Sequence, residues 1–327
     1  MASLDPNLLA LAAGQCGLFT TRQARDVGVV AKALSGHVAA RRISRLARSL
    51  YAVSSSQPQS TEARHQLLAR GASLLYDDAI LTGVTAVLAH GLPVWNCPLG
   101  RPELLRPIHR QVGVKPYRVR PRHGAQVDSP WGPTVPLAEA LVQLCLDHGI
   151  VQGVVSADAA LHAGRLTPAE LGAAVNAVRT WPKSNRPRAM LEFVDPKCES
   201  VAESRARVEF LTHGIRVRSQ VDVCRRDGSL IGSADFVVED TDVVVEVDGK
   251  VKYATGDPAV LWAEKRREDD MRAEGKVVVR VTWADLETPG RASAKVRRAL
   301  PRASAPPSPP EDDPSPGKRS RGKGGFP

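Results

Sequence analysis

The chain has 327 residues, 43% of them hydrophobic and 24% charged, which suits two or three folded domains with real cores and excludes a wholly disordered protein. A net charge of +10 favours polyanionic partners such as nucleic acid. No run approaches the ~18 apolar residues of a membrane span, the start lacks a secretory leader's basic and apolar regions, and the five cysteines show no C-x-x-C spacing. A cytoplasmic protein with reduced thiols and no membrane partner is therefore expected.

At the N-terminus, Leu8, Leu9, Leu11 and Ala12 fall at helical spacing up to Gly14, predicting a first helix. Thr20-Thr21 is a cap signal for a short helix ending at Gly28, and a third helix is expected over Ala31–Ala40. The segment Arg41 to Val53 then reads as two short strands, so that residues 1–55 form a winged helix-turn-helix. Arg41, Arg42, Arg45 and Arg48 cluster where the last helix gives way to the wing. They are the candidate DNA-phosphate contacts; the other reading is the basic surface of a small interaction module.

These residues resemble the N-terminal domain of AbiEi-family antitoxins. The likeness runs through Gly17-Leu18-Phe19-Thr20, Gly28-Val29 and a wing ending in Tyr51-Ala52, with Ser49 where a Gly usually precedes the last wing strand. It implies a transcriptional repressor and a cognate toxin as partner.

A Ser-rich linker over residues 54–60 leads into a mixed α/β middle region, residues 61–180. Helices are expected over Glu62–Leu75, Leu81–His90, Ala138–His148 and Val151–Ala163, with another starting at Thr167-Pro168. Val112–Arg122 reads as extended, its Arg118, Arg120 and Arg122 lining an exposed face at strand spacing. None of the histidines has ligand spacing, so no chemistry is assigned here. The region resembles the second domain of the AbiEi arrangement.

Trp181 to Arg188 marks a boundary, and residues 190–300 follow as a third unit. Asp195-Pro196 is expected to cap a helix carrying Glu199, Glu203 and Arg207 on one face. A strand Val217–Val223 precedes a hairpin of Ile231–Val238 and Val243–Asp248, divided by Glu239-Asp240-Thr241-Asp242. With a two-residue turn at Asp240-Thr241, Asp235 faces Glu246, while Val243, Val245 and Val247 point to the opposite face from Val244, Glu246 and Asp248. A helix from Asp257-Pro258 to Ala273, ended by Gly275, and a strand Val277–Val281 complete an α/β sandwich.

Opposed carboxylates with Cβ atoms ~5 Å apart destabilise a strand pair. A divalent cation gives a reason for them, because Mg²⁺ takes oxygen ligands and can generate a nucleophilic water beside a phosphate. The alternative is a solvated sheet face. The stretch resembles the PD-(D/E)XK nuclease superfamily, in particular the branch similar to very short patch repair endonucleases of actinobacterial type, through Ala234-Asp235-Phe236, Val245 to Gly249 and Glu264-Lys265-x-Arg267. The resemblance implies a restriction-endonuclease-like fold in which Asp235 and Glu246 bind Mg²⁺ or Mn²⁺, Glu203 is the helix acid, Asp248 tunes the site and Lys252 stabilises charge at the phosphate. Asp248 stands where the family has Lys, and Lys250, Lys252 and Lys265 are the candidate replacements. Residues 301–327, rich in Pro, Ser and basic residues, are expected to be disordered.

The sequence thus predicts a multidomain α+β protein that binds DNA and needs no small-molecule cofactor, with two functional readings. One is a metal-dependent endonuclease; the other is a non-enzymatic antitoxin-type repressor with a degenerate nuclease fold.

Overall fold

A computed structural model describes residues 3–56, 58–248 and 258–300. Among these the architecture is mixed α/β, with thirteen α-helices and three sheets. No helix is long and apolar enough to cross a membrane, and all five cysteines are free thiols.

The first helix, α1 (Pro6–Ala13), starts at Asp5, whose carboxylate accepts the Asn7 and Leu8 N–H groups and so satisfies donors that a helix start leaves open. Strand β1 (Leu18–Thr20) follows, then α2 (Thr21–Asp26), held by a capping box between Thr20 and Gln23. After α3 (Ala31–Ala39), β2 (Ile43–Ala47) and β3 (Leu50–Val53) form an antiparallel hairpin. Ser49 turns that hairpin at φ 64°, left-handed backbone that glycine adopts most easily. The sequence reading missed β1, which pairs with β3 and makes the sheet three-stranded, in the order β1-β3-β2.

In the middle of the chain lie α4 (Thr61–Leu75), β4 (Ile80–Leu81), α5 (Gly83–Ala89), β5 (Glu103–Arg106), β6 (Val112–Val114) and β7 (Tyr117–Pro121). They are followed by α6 (Leu137–His148), α7 (Ile150–His162), α8 (Pro168–Ala177) and α9 (Asn185–Phe193). The strands form a sheet in the order β4-β5-β7-β6, with β5 and β7 parallel. Helix α9 covers part of the stretch read as a boundary, because Pro187 and Met190 are buried side chains that its polar neighbours mask in the sequence. One apolar core runs from Leu18 and Leu50 of the first sheet through Leu68, Leu104, Leu141 and Met190 to Val208.

The last part comprises α10 (Val201–Thr212), β8 (Val217–Cys224), β9 (Leu230–Val238), β10 (Val243–Asp248), α11 (Pro258–Ala273), β11 (Val277–Thr282), α12 (Trp283–Leu286) and α13 (Arg291–Ala299). Its sheet runs β11-β10-β9-β8, with β11 parallel to β10 and the other pairs antiparallel. Alternation along β10 divides its side chains between two cores. Val243, Val245 and Val247 pack with Ala206 and Phe210 of α10 and Val296 of α13, whereas Val244 packs with Met271 of α11. Phe210 meets Phe236 edge-on at 5.9 Å, a geometry that adds about 0.5–1.5 kcal/mol to simple burial.

Two features tie this sheet to the middle of the chain. Arg207 on α10 pairs at 3.0 Å with buried Asp158 on α7. The Arg205 guanidinium lies 4.2 Å from the Trp95 ring and 4.6 Å from the Trp283 ring, a cation between two aromatic faces.

Candidate functional site

In the β9–β10 ladder Val244 faces Val237 and Val245 faces Phe236. One step further along that register Asp235 stands opposite Glu246. The register is the one the turn at Asp240-Thr241 predicts, and Asp240 has the positive φ, 58°, that a tight turn uses. Because Val244 belongs to the α11 side of the sheet, Glu246 and Asp248 belong there as well.

Each acid has a structural partner. Asp235 Oδ2 accepts the Val247 N–H at 2.7 Å, taking the place of a backbone carbonyl where the ladder stops. Glu246, only 7% exposed, accepts from Arg267 Nη2 on α11 at 2.9 Å. The sheet therefore supplies reasons of its own for the acids, and the expected bare repulsion between Asp235 and Glu246 is offset by a backbone donor and a guanidinium. Asp248 lies 3.5 Å from Arg280 of β11, which also donates to Glu268 at 3.0 Å. Burial works against the Arg280 charge, but Glu268 and Asp248 outweigh it and hold the guanidinium above its ordinary range.

Glu203 is reached by a different route. The helix expected to start at Asp195-Pro196 begins instead at Val201 with Ser200 as its cap, so Glu199 lies outside it and the expected Glu199-Glu203-Arg207 face does not form. Glu203 accepts from Ser200 Oγ at 2.7 Å and from the Glu199 N–H at 3.0 Å. It also accepts from Gln220 Nε2 at 3.0 Å, and Ser233 Oγ lies 3.4 Å from Gln220 Oε1. Gln220 thus links the helix acid to β9, two residues from Asp235. Gln220 has φ 48°, a left-handed conformation that a side-chain-bearing residue holds only under constraint.

The structure adds three residues to the expected set: Arg267, Arg280 and Gln220. Arg267 was legible in principle, since it lies one helical turn before Met271 and so on the sheet-facing side of α11. Gly232 makes room for it, as any Cβ there would sit 2.7 Å from Arg267 Cδ. Lys265 points elsewhere, its Nζ lying 5.7 Å from the exposed Trp262 ring. Lys250 and Lys252 lie outside the described residues. Among the described residues, no group of three or more His, Cys, Asp or Glu side chains is arranged to hold a metal ion.

Of the N-terminal arginines, Arg45 lies on the edge strand β2, Arg41 and Arg42 just before it and Arg48 just after. Arg41, Arg45 and Arg48 are exposed, while Arg42 is half-buried with Nη1 3.5 Å from His37 Nδ1. The middle arginine stripe differs from the expected exposed face. Arg118 pairs with buried Glu103 at 3.0 Å, and Arg120 with Asp147 at 2.7 Å. Burial, helped by the nearby Asp147 charge and opposed by both arginines, pushes Glu103 up to about 7. Nothing in the sequence pattern marks Glu103 for this, because β5 is only four residues long.

No family model matches the chain. Its similarity to curated proteins includes an uncharacterized protein of Mycobacterium tuberculosis, found in strains CDC 1551 and H37Rv. That protein is 26% identical over 204 residues, covering 62% of this chain and 71% of the relative.

Proposed function

We propose that this chain binds DNA through its N-terminal unit, a winged helix-turn-helix, and that its C-terminal sheet is a restriction-endonuclease-like centre that hydrolyses phosphodiester bonds with a divalent metal. The observation that carries this reading is the register that sets Asp235 opposite Glu246 on the α11 side of the sheet, with Asp248 two residues further along. Carboxylate oxygens on adjacent strands are the hard donors that Mg²⁺ or Mn²⁺ takes, with waters and phosphate oxygens completing its shell. Asp235 and Glu246 would hold the ion, which when bound would supply a nucleophilic water and neutralise charge on the phosphate.

The chain's own groups do the rest. Val247 N–H fixes the Asp235 carboxylate, Gln220 and Glu203 brace the neighbouring strand, and Arg267 pairs with Glu246. An ion held by Glu246 would lie beside the Arg267 guanidinium, which is well shaped to take a phosphate. The exposed arginines on and beside β2 would carry the sequence-independent part of DNA binding.

A second reading has an observation of its own: both Glu246 and Asp248 already have arginine partners. In that reading the chain is a non-enzymatic repressor of antitoxin type, with a cognate toxin as partner. Incubating supercoiled plasmid with the protein and Mg²⁺ or Mn²⁺, against Asp235→Asn and Glu246→Gln, separates the two. Cleavage by wild type alone, abolished by chelator, supports the enzyme. Binding without cleavage, or equal cleavage by both variants, sinks it.

A further inference from the structure

Helices α6 and α8 enclose a cavity of about 420 Å³ on the middle part of the chain, within the size range of small-molecule sites, ~300–1,000 Å³. Val142, Ala174 and Val178 form apolar wall, and Trp181, 36% exposed, joins them from beyond α8. The His123 ring meets Trp181 edge-on at 5.1 Å.

Two polar side chains line the cavity from α6, Glu139 and Gln143. Gln143 is engaged, donating to Asp147 at 3.0 Å. Glu139 has no hydrogen-bond or ion-pair partner among the described residues, although the chain contains 45 Lys and Arg. Its carboxylate lies against the backbone at Gly124, where any Cβ would come within 2.5 Å of Glu139 Oε2. Burial alone raises Glu139 above the usual carboxylate range, as expected of a partly buried acid without a counter-ion. His123 is no substitute counter-ion, since burial and the Arg120 charge hold its imidazole below its ordinary value.

The cavity therefore offers an apolar body space, an indole and an unmatched carboxylate. Anions are disfavoured by the acid, and a neutral apolar molecule would leave it unmatched and still further from water. We propose that this cavity is a binding site for a small organic cation with an apolar body, its ammonium group on Glu139 and its ring against Trp181, where an aromatic pair adds to simple burial.

Isothermal titration calorimetry of the full chain with 2-phenylethylammonium, and with 2-phenylethanol as the uncharged analogue, tests this. The amine is expected to bind saturably and at least tenfold more tightly than the alcohol. Glu139→Gln should abolish that preference, and Ala174→Phe, which fills the cavity, should abolish binding. Melting curves establish that both variants are folded; if Glu139→Gln is not, Trp181→Ala takes its place and should weaken the amine severalfold. Absence of saturable amine binding, equal binding of amine and alcohol, or unchanged binding to the folded variants would overturn the proposal.

Discussion

Arg267 and Glu246 are 21 residues apart in the chain and 2.9 Å apart in space, their side chains 32% and 9% exposed. A half-buried pair of this kind adds little relative to an apolar contact, but removing one partner leaves the other charge desolvated and unmatched. Arg267→Ala is therefore expected to lower stability in chelator by about 1–3 kcal/mol, the cost of a buried polar group that loses its partner. If Asp235 and Glu246 bind a divalent cation, the variant should gain more melting temperature than wild type on adding Mg²⁺, because the competing guanidinium is gone. Differential scanning fluorimetry in chelator and in Mg²⁺ measures both quantities; equal gains would mean that arginine and metal do not compete.

At Asp235 charge can be separated from hydrogen bonding. Its Oδ2 accepts the Val247 N–H at 2.7 Å, and asparagine keeps an acceptor while losing the charge. Asp235→Asn should thus change stability by less than about 1 kcal/mol, whereas Asp235→Ala orphans the amide and should cost about 1–3 kcal/mol. Urea denaturation in chelator decides it. An alanine variant as stable as wild type would show that the bond contributes nothing to the sheet.

What was legible in the sequence followed from periodicity and from turn chemistry. The alternation in Val243 to Asp248 assigns each side chain to the face it occupies, and the polar run Glu239 to Asp242 sets the register that brings Asp235 to Glu246. The partners of those acids were harder to see. Arg267 sits in a helix whose charges alternate in sign, so its one inward-facing cation looks like its outward-facing neighbours until Met271 is known to be buried. Gln220 carries no mark of its left-handed backbone. Glu103 belongs to a four-residue strand, too short for its pattern to stand out, and only the fold places it beside Arg118 and Arg120.

Of the four N-terminal arginines, Arg41, Arg45 and Arg48 are exposed and Arg42 is half-buried beside His37. If the first three meet DNA phosphates, each changed to alanine should reduce the slope of log K against log salt by about one unit. Arg42→Ala should reduce it by less. Fluorescence anisotropy with a labelled duplex from low to moderate salt gives the slopes; a triple variant with the wild-type slope would remove β2 from the interface.

Glu103 provides a pH test of the middle sheet. Its side chain is 3% exposed and lies 3.0 Å from Arg118 and 3.9 Å from Arg120, yet burial, with the nearby Asp147 charge, lifts it from 4.5 to about 7. Between those values the folded chain holds a proton that the unfolded chain has released, so stability falls as pH rises through that window. The contribution is full below 4.5 and lost above about 7. A shift of that size corresponds to roughly 3 kcal/mol. Glu103→Gln has nothing to ionise and keeps an acceptor for Arg118, so it should lose the downward slope contributed by this site. Urea titrations of both proteins at several pH values from 4.5 to 8 measure the difference in slope. Parallel curves would mean that Glu103 stays ionised in the fold, with the arginines outweighing its burial.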